Sequence, residues 1–216
     1  MNYIQKVKIC CIQNLNEARM AAEVGAFAIG LVSEMPSGPG EIPEDLIAFI
    51  AHAVPAKLNT FLLTSKQDAN SIIRQHKKCL TTAIQLVDSI SESELVHLKS
   101  ALPDIDLVQV IHVRDVSAIE EAKKFENFVQ YILLDSGNPD LDVKELGGTG
   151  RTHNWAISRE IVKQVSKPVF LAGGLNPLNV REAISFVQPF GVDVCSGVRT
   201  NGMLDPGKLA AFFVRI

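Results

Sequence analysis

A chain of 216 residues, 47% hydrophobic and 21% charged, is long and apolar enough to bury a sizeable core, which excludes disordered and disulfide-stapled miniprotein classes. The formal net charge is only -3, and the basic residues are scattered. That leaves no electrostatic footprint for nucleic acid or an anionic membrane, so a small-molecule ligand is expected. No uncharged apolar run approaches the ~18 residues of a membrane span, and "MNYIQKVKIC" lacks the apolar stretch of a signal peptide, so a cytoplasmic protein is expected. The four cysteines, Cys10, Cys11, Cys79 and Cys195, show no metal-ligand spacing. They suggest free thiols in a reducing compartment rather than zinc or a disulfide framework.

Short β-branched runs recur in chain order: "VKICCI", "FAIGLVS", "LNTFLLT", "AIQLV", "LVQVIHV", "VQYILLD", "PVFLA" and "VDVCSGV". Between them lie stretches with helical periodicity and helical starts. "NLNEARMAAEVG" runs from an Asn cap to a Gly stop, and "NPLNVREAISFV" and "DPGKLAAFFV" each place Pro after an Asn or Asp cap. Eight strands alternating with about eight helices imply right-handed βαβ units on a parallel sheet. The reading is an α/β fold, one (β/α)8 TIM-barrel domain over 1–216, at about 27 residues per unit. An open doubly wound sheet is the alternative, weakened because no GxGxxG follows the first strand.

In such a barrel the chemistry collects at the carboxyl ends of the strands. Side chains alternate along a strand, so Lys8 and Cys10 share one face while Val7, Ile9 and Cys11 share the other. The all-apolar set should face the helices. Cys10 would then sit at the barrel mouth, with Lys8 roughly 6 to 7 Å below it, where an ammonium favours the thiolate. In "YILLDSGNPD" the same alternation brings Asp135 to the mouth from an otherwise apolar strand. An acid so placed is either a turn cap or a proton donor; partial burial would raise its pKa, as a donor working near neutrality requires.

Two strand ends run into small residues, "FLAGGLNP" and "VDVCSGV", and "GGTG" at 147–150 follows Asp135. Glycines there allow backbone N–H groups to approach an anion near a helix start. Gly148, Gly173, Gly174, Ser196 and Gly197 are the candidate phosphate seat. A plain turn explains each cluster separately, but three at ligand-facing strand ends point together to a phosphate. Lys8, Gln85, Arg151 and His153 are the candidate substrate contacts.

The motifs "KIC", "GAFAIGLV", "LLDS", "GGTG" before a helix near Trp155, "PVFLAGGLNPLNV" and "GVDVCSGV" resemble the phosphoribosylanthranilate isomerase family, from about Lys8 to the C-terminus. The resemblance implies a (β/α)8 enzyme of tryptophan biosynthesis that needs no cofactor and acts on a phosphorylated sugar as a monomer or homodimer. It implies an Amadori rearrangement of an aminoaldose to an aminoketose. Asp135 would be the general acid on the ring oxygen and Cys10 the general base at C2'.

The sequence also departs from that family. Its members usually read KICG where Cys11 stands here, and a Ser-Pro-Arg stretch where this chain reads "SEMPSGPGEIP", with no lysine or arginine between Arg19 and Lys57. A usual His after strand 4 is Val87, a usual Lys on strand 5 is absent, and a usual Glu near the end is Arg199. A substrate carboxylate thereby loses its bidentate partner; Arg114, His112, Arg151 and His153 are candidate substitutes. The alternatives are a relative acting on another phosphorylated sugar and a non-catalytic phosphate-binding or regulatory barrel.

Overall fold

The computed structural model describes residues 5–141, 143–148 and 150–216. Eight parallel strands are ordered as they occur in the chain: β1 (Lys6–Ile9), β2 (Ala28–Val32), β3 (Asn59–Thr64), β4 (Ala83–Leu86), β5 (Asp106–His112), β6 (Tyr131–Asp135), β7 (Val169–Leu171) and β8 (Gly191–Val194). The last strand pairs back onto the first, with Val7 opposite Val192 and Ile9 opposite Val194. This closure excludes the open sheet and makes the fold a (β/α)8 barrel. Each expected β-branched run overlaps one of these strands.

Eight helices surround the barrel: α1 (Leu15–Glu23), α2 (Glu44–Ala53), α3 (Ala69–Cys79), α4 (Glu92–Ala101), α5 (Ser117–Phe125), α6 (Trp155–Gln164), α7 (Val180–Val187) and α8 (Pro206–Phe213). Local chemistry sets several of their starts. Asn14, Asp68, Ser91, Asn154 and Asp205 each accept a backbone N–H of the first turn, satisfying donors that have no partner inside the helix. The Asn176-Pro177 start is corrected. Residues 176–179 close a turn in which Asn179 accepts the Asn176 N–H and Asn176 accepts the Leu178 N–H, both at 2.8 Å. The helix opens only at Val180. "VDVCSGV" likewise stops being a strand at Val194; Ser196–Val198 is a 3-10 turn leading into a small hairpin, β9 (Arg199–Thr200) and β10 (Met203–Leu204).

Apolar burial falls into two bodies. One lies between barrel and helices and takes Val7, Ile9, Ile29, Leu31, Ile132 and Leu134 from the strands. The other fills the barrel and takes Ala28, Phe61, Ala83, Val108, Val110, Leu133 and Phe170. Its lower end is a cluster of Phe27, Phe61, Tyr131, Phe170 and Phe190, with ring centroids from 5.5 Å to 6.4 Å apart. Full burial of one such ring contributes about 1.5 to 3 kcal/mol. The Lys8 ammonium lies 5.8 Å from the centre of the Phe61 ring.

Candidate active site

Above the rings the interior becomes polar. Lys8 is fully buried, and its Nζ donates to Asp193 Oδ1 at 2.9 Å. Burial alone would lower the pKa of this ammonium, but Asp193 and, beyond it, Cys10 outweigh burial and hold it above its ordinary value. Gly30 makes the layer possible. A Cβ there would fall 2.9 Å from the Cys10 sulfur and 3.1 Å from Lys8 Nζ, so the inward-facing glycine of β2 leaves both groups their room.

A cavity opens over this ion pair at the carboxyl ends of the strands. Its wall includes Cys10, Cys11, Gln85, Asp135, Asp193 and Cys195 together with Gly148, Gly173, Gly174 and Ser196. The cavity thus brings together the expected thiol, acid and most of the glycine seat. Gln85 is buried and its Oε1 has no partner among the described residues, so it is open to a ligand's donor.

Asp135 ends β6, pairs in register with His112 and accepts the Ser136 N–H at 2.8 Å. Burial pushes its pKa up, opposed by that N–H and by His112. Cys10 moves the other way. A hydrogen bond from the Cys11 thiol is the largest influence and lowers its pKa against burial, with help from Lys8. Cys11 itself is pushed well up by its neighbours Cys10 and Cys195 and by burial; it accepts from the Cys195 thiol at 2.9 Å.

The placement of Cys11 on the outer face is corrected. Strict alternation ends with β1 at Ile9, and Cys11 has a φ of +62°, a left-handed conformation that turns its side chain into the cavity. Such a conformation costs a residue with a Cβ about 1 to 2 kcal/mol. A buried cation holds it. Arg199 donates to both oxygens of Glu17, at 3.0 and 2.9 Å, to Gly202 O at 2.9 Å, to Cys10 O at 3.3 Å and to Cys11 O. Burial alone would depress the Arg199 pKa, but Glu17 reverses that and raises it. A sequence reading has little access to this clamp, since its partners stand 182 residues apart.

Several expected contacts lie elsewhere. Lys8 forms the floor below Cys10 rather than the wall. Gly197 packs against the backbone of Leu175 and Asn176, where a side chain would not fit. Arg151 pairs with Glu145 at the exposed rim. His153 sits behind Gly173 with Nε2 2.7 Å from Ser158 Oγ, and burial lowers its pKa to about 4, so it is neutral near pH 7. Arg114 is held by Asp140, and His112 Nε2 lies 3.0 Å from Val87 O. Among the described residues that line the cavity there is no lysine or arginine. The loop after β2 presents Met35, Ser37, Gly38 and Pro39 instead. Gly148 packs on Pro39, Gly174 on the 151–152 backbone, so these glycines also serve close loop packing.

A family model described as N-(5'phosphoribosyl)anthranilate (PRA) isomerase matches residues 7–215. The chain belongs to the phosphoribosylanthranilate isomerase family. It is 37% identical over 212 residues to "N-(5'-phosphoribosyl)anthranilate isomerase 2" of Methanosarcina mazei, covering 97% of this chain and 93% of that protein. The crystal structure of phosphoribosyl anthranilate isomerase from Thermotoga maritima superposes with a TM-score of 0.84 at 28% identity, covering 98% of each chain. A structure of the isomerase in complex with reduced 1-(o-carboxyphenylamino)-1-deoxyribulose 5-phosphate superposes with a TM-score of 0.81 at 26% identity, covering 98% of this chain and 97% of that one. No helix among the described residues is long and apolar enough to cross a membrane.

Proposed function

We propose that this member of the phosphoribosylanthranilate isomerase family isomerises N-(5'-phosphoribosyl)anthranilate to its aminoketose, the Amadori step of tryptophan biosynthesis. The observation that carries the reading is one cavity that holds both Cys10, whose pKa is displaced downward, and Asp135, whose pKa is displaced upward.

Asp135 gives its proton to the ribose ring oxygen. The C1'–O bond breaks, the anilino nitrogen pushes in, and C1' becomes an iminium carbon. The Cys10 thiolate then takes the proton from C2', and the electron pair moves into the C1'–C2' bond as the iminium collapses to an enolamine. Return of a proton to C1' and loss of the C2' hydroxyl proton leave the ketone. C2' is oxidised and C1' reduced within one molecule, so no external electron carrier enters.

Both pKa displacements serve this step. The productive enzyme has Cys10 ionised and Asp135 protonated. At unperturbed values near 8.5 and 3.9 that combination is a fraction on the order of 10⁻⁵ of molecules. Each unit by which the two values approach raises it tenfold, and burial of Asp135 and the thiol donor at Cys10 act in that direction. Gly148, Gly173, Gly174 and Ser196 hold the phosphate, and the unpartnered Gln85 oxygen accepts from a sugar hydroxyl or the amine.

The test is loss of anthranilate fluorescence when purified protein meets phosphoribosylanthranilate. Turnover that disappears in both Cys10→Ala and Asp135→Asn is the expected result; activity surviving either change rejects the role given to that residue. A second reading, a relative whose aglycone is uncharged, is favoured by the cavity wall that lacks a basic side chain among its described residues. A read carboxylate contributes about ten- to a hundredfold in affinity. Equal kcat/KM for the anthranilate and the corresponding aniline substrate would favour that second reading.

A further inference from the structure

The proposed isomerisation uses one thiol, yet three line the cavity. Two of them touch each other. Cys195 Sγ donates to Cys11 Sγ at 2.9 Å, across the seam where β8 pairs back onto β1. Cys11 occupies this place at a cost, since its φ of +62° is one that glycine adopts freely. It is also held there from two sides. Gly40 lies so close that a Cβ on it would come 2.5 Å from the Cys11 Cβ. Arg199, itself paired with Glu17, donates to the Cys10 and Cys11 carbonyls. A strained residue fixed with its sulfur against a second sulfur points to work done by the side chain.

We propose that Cys11 and Cys195 form a reversible disulfide when the protein meets a hydroperoxide, making the β1–β8 seam a site of oxidative modification in the cavity wall. The two sulfurs need to approach by only roughly 0.9 Å to reach the length of a disulfide bond. Cys11 is buried and Cys195 is partly exposed, so an oxidant entering the cavity meets Cys195 first. The peroxide O–O bond breaks, the Cys195 thiol takes one oxygen to become a sulfenic acid, and the rest of the peroxide leaves as water or an alcohol. The Cys11 sulfur then attacks that of Cys195. The S–S bond forms, the S–O bond breaks, and the departing hydroxyl takes the Cys11 proton to leave as water. Two thiols are oxidised and one peroxide is reduced. Other pairings are less suited. Cys10 and Cys11 are adjacent, and Cα atoms about 3.8 Å apart are nearer than a disulfide ordinarily allows. Cys79 lies at the end of α3, with its thiol directed to the Glu44 carbonyl. Because the partners stand 184 positions apart, the bond closes most of the chain into one loop, which constrains the unfolded state more than a short loop would.

The test treats the reduced protein with a few equivalents of hydrogen peroxide, alkylates the remaining thiols and maps the peptides by mass spectrometry. The expected product is a peptide pair joined through Cys11 and Cys195 that dithiothreitol separates, with Cys79 alkylated. The urea midpoint of the oxidised protein should lie above that of the reduced protein. The same treatment should leave the midpoint unmoved in Cys195→Ser and in Cys11→Gly, which removes the second sulfur while relieving the backbone. Cys11 and Cys195 both alkylated after treatment, a bond that joins Cys10 to either of them, or Cys195 carried on to a sulfinic acid without a bond would each overturn the proposal. So would an equal rise of the midpoint in either variant. Neither measurement uses a substrate, so the modification is tested separately from the isomerase reading.

Discussion

At the amino ends of the strands the barrel is filled by five aromatic rings in mutual contact, whereas at the carboxyl ends the same eight strands deliver two carboxyls, three thiols and a row of glycines around a cavity. The ring end places apolar surface against apolar surface and asks nothing else of its residues. The cavity end displaces the pKa of a buried acid upward and that of a thiol downward, and holds a cysteine in a glycine conformation. The contrast teaches that stability and chemistry are separated along the barrel axis, with the Lys8–Asp193 pair as the boundary between them. Substitutions on the two sides should therefore fail in different assays.

The largest effect should come from the cavity side. Cys10→Ala and Asp135→Asn should each lower kcat by about 10² to 10⁴, the usual span for a general base or acid, while urea midpoints stay at or above the parent value. On the ring side, Phe170→Ala should reverse that pattern, losing about 3 to 5 kcal/mol of unfolding free energy with kcat per folded molecule unchanged. If it lowered kcat as strongly as stability, the separation of the two ends would be wrong.

The boundary should show both signatures. Lys8→Met leaves the Asp193 carboxylate buried without its cation and should cost about 3 to 5 kcal/mol, with a smaller fall in kcat because Cys10 also loses a neighbouring cation. Because the folded Lys8 pKa is raised, the pair's contribution is fully present below the unfolded value of about 10.4 and fades only above it. The deficit measured by urea unfolding should therefore be constant between about pH 6 and pH 9. The smallest effect is one of sign. Asp135 has a raised folded pKa, so the folded state binds its proton more tightly and the parent loses stability as pH rises from about 4. Asp135→Asn should lack that loss, and its advantage in urea midpoint should be larger near pH 7 than near pH 4.

Much of this was legible in the sequence because parallel strands are simple objects. Runs such as "LVQVIHV" and "YILLD" are buried on both faces, and their β-branched content marks them whatever the loops do. Alternation then carries Asp135 and Cys10 to one rim, since a residue at the end of a strand inherits the direction of the strand. Cys11 defeated the same rule by a single dihedral angle. Past the end of β1 the alternation no longer holds, and the usable signal was the glycine that the family carries at that position, a mark of positive φ. Asp193 was also within reach of sequence reasoning as a lone charge in the middle of "GVDV", facing Lys8 by parity. The Arg199–Glu17 clamp was not, because it joins the first helix to a two-residue strand near the end of the chain and follows no local period.

The hairpin of β9 and β10 contributes no residue to the cavity wall, yet Arg199 reaches from it to the carbonyls of both cysteines. A random mutagenesis screen should therefore recover loss-of-activity lesions in this outlying ribbon among well-folded proteins. Mapped on the surface alone, such lesions would look remote from any ligand, and the guanidinium is the tether that makes them local.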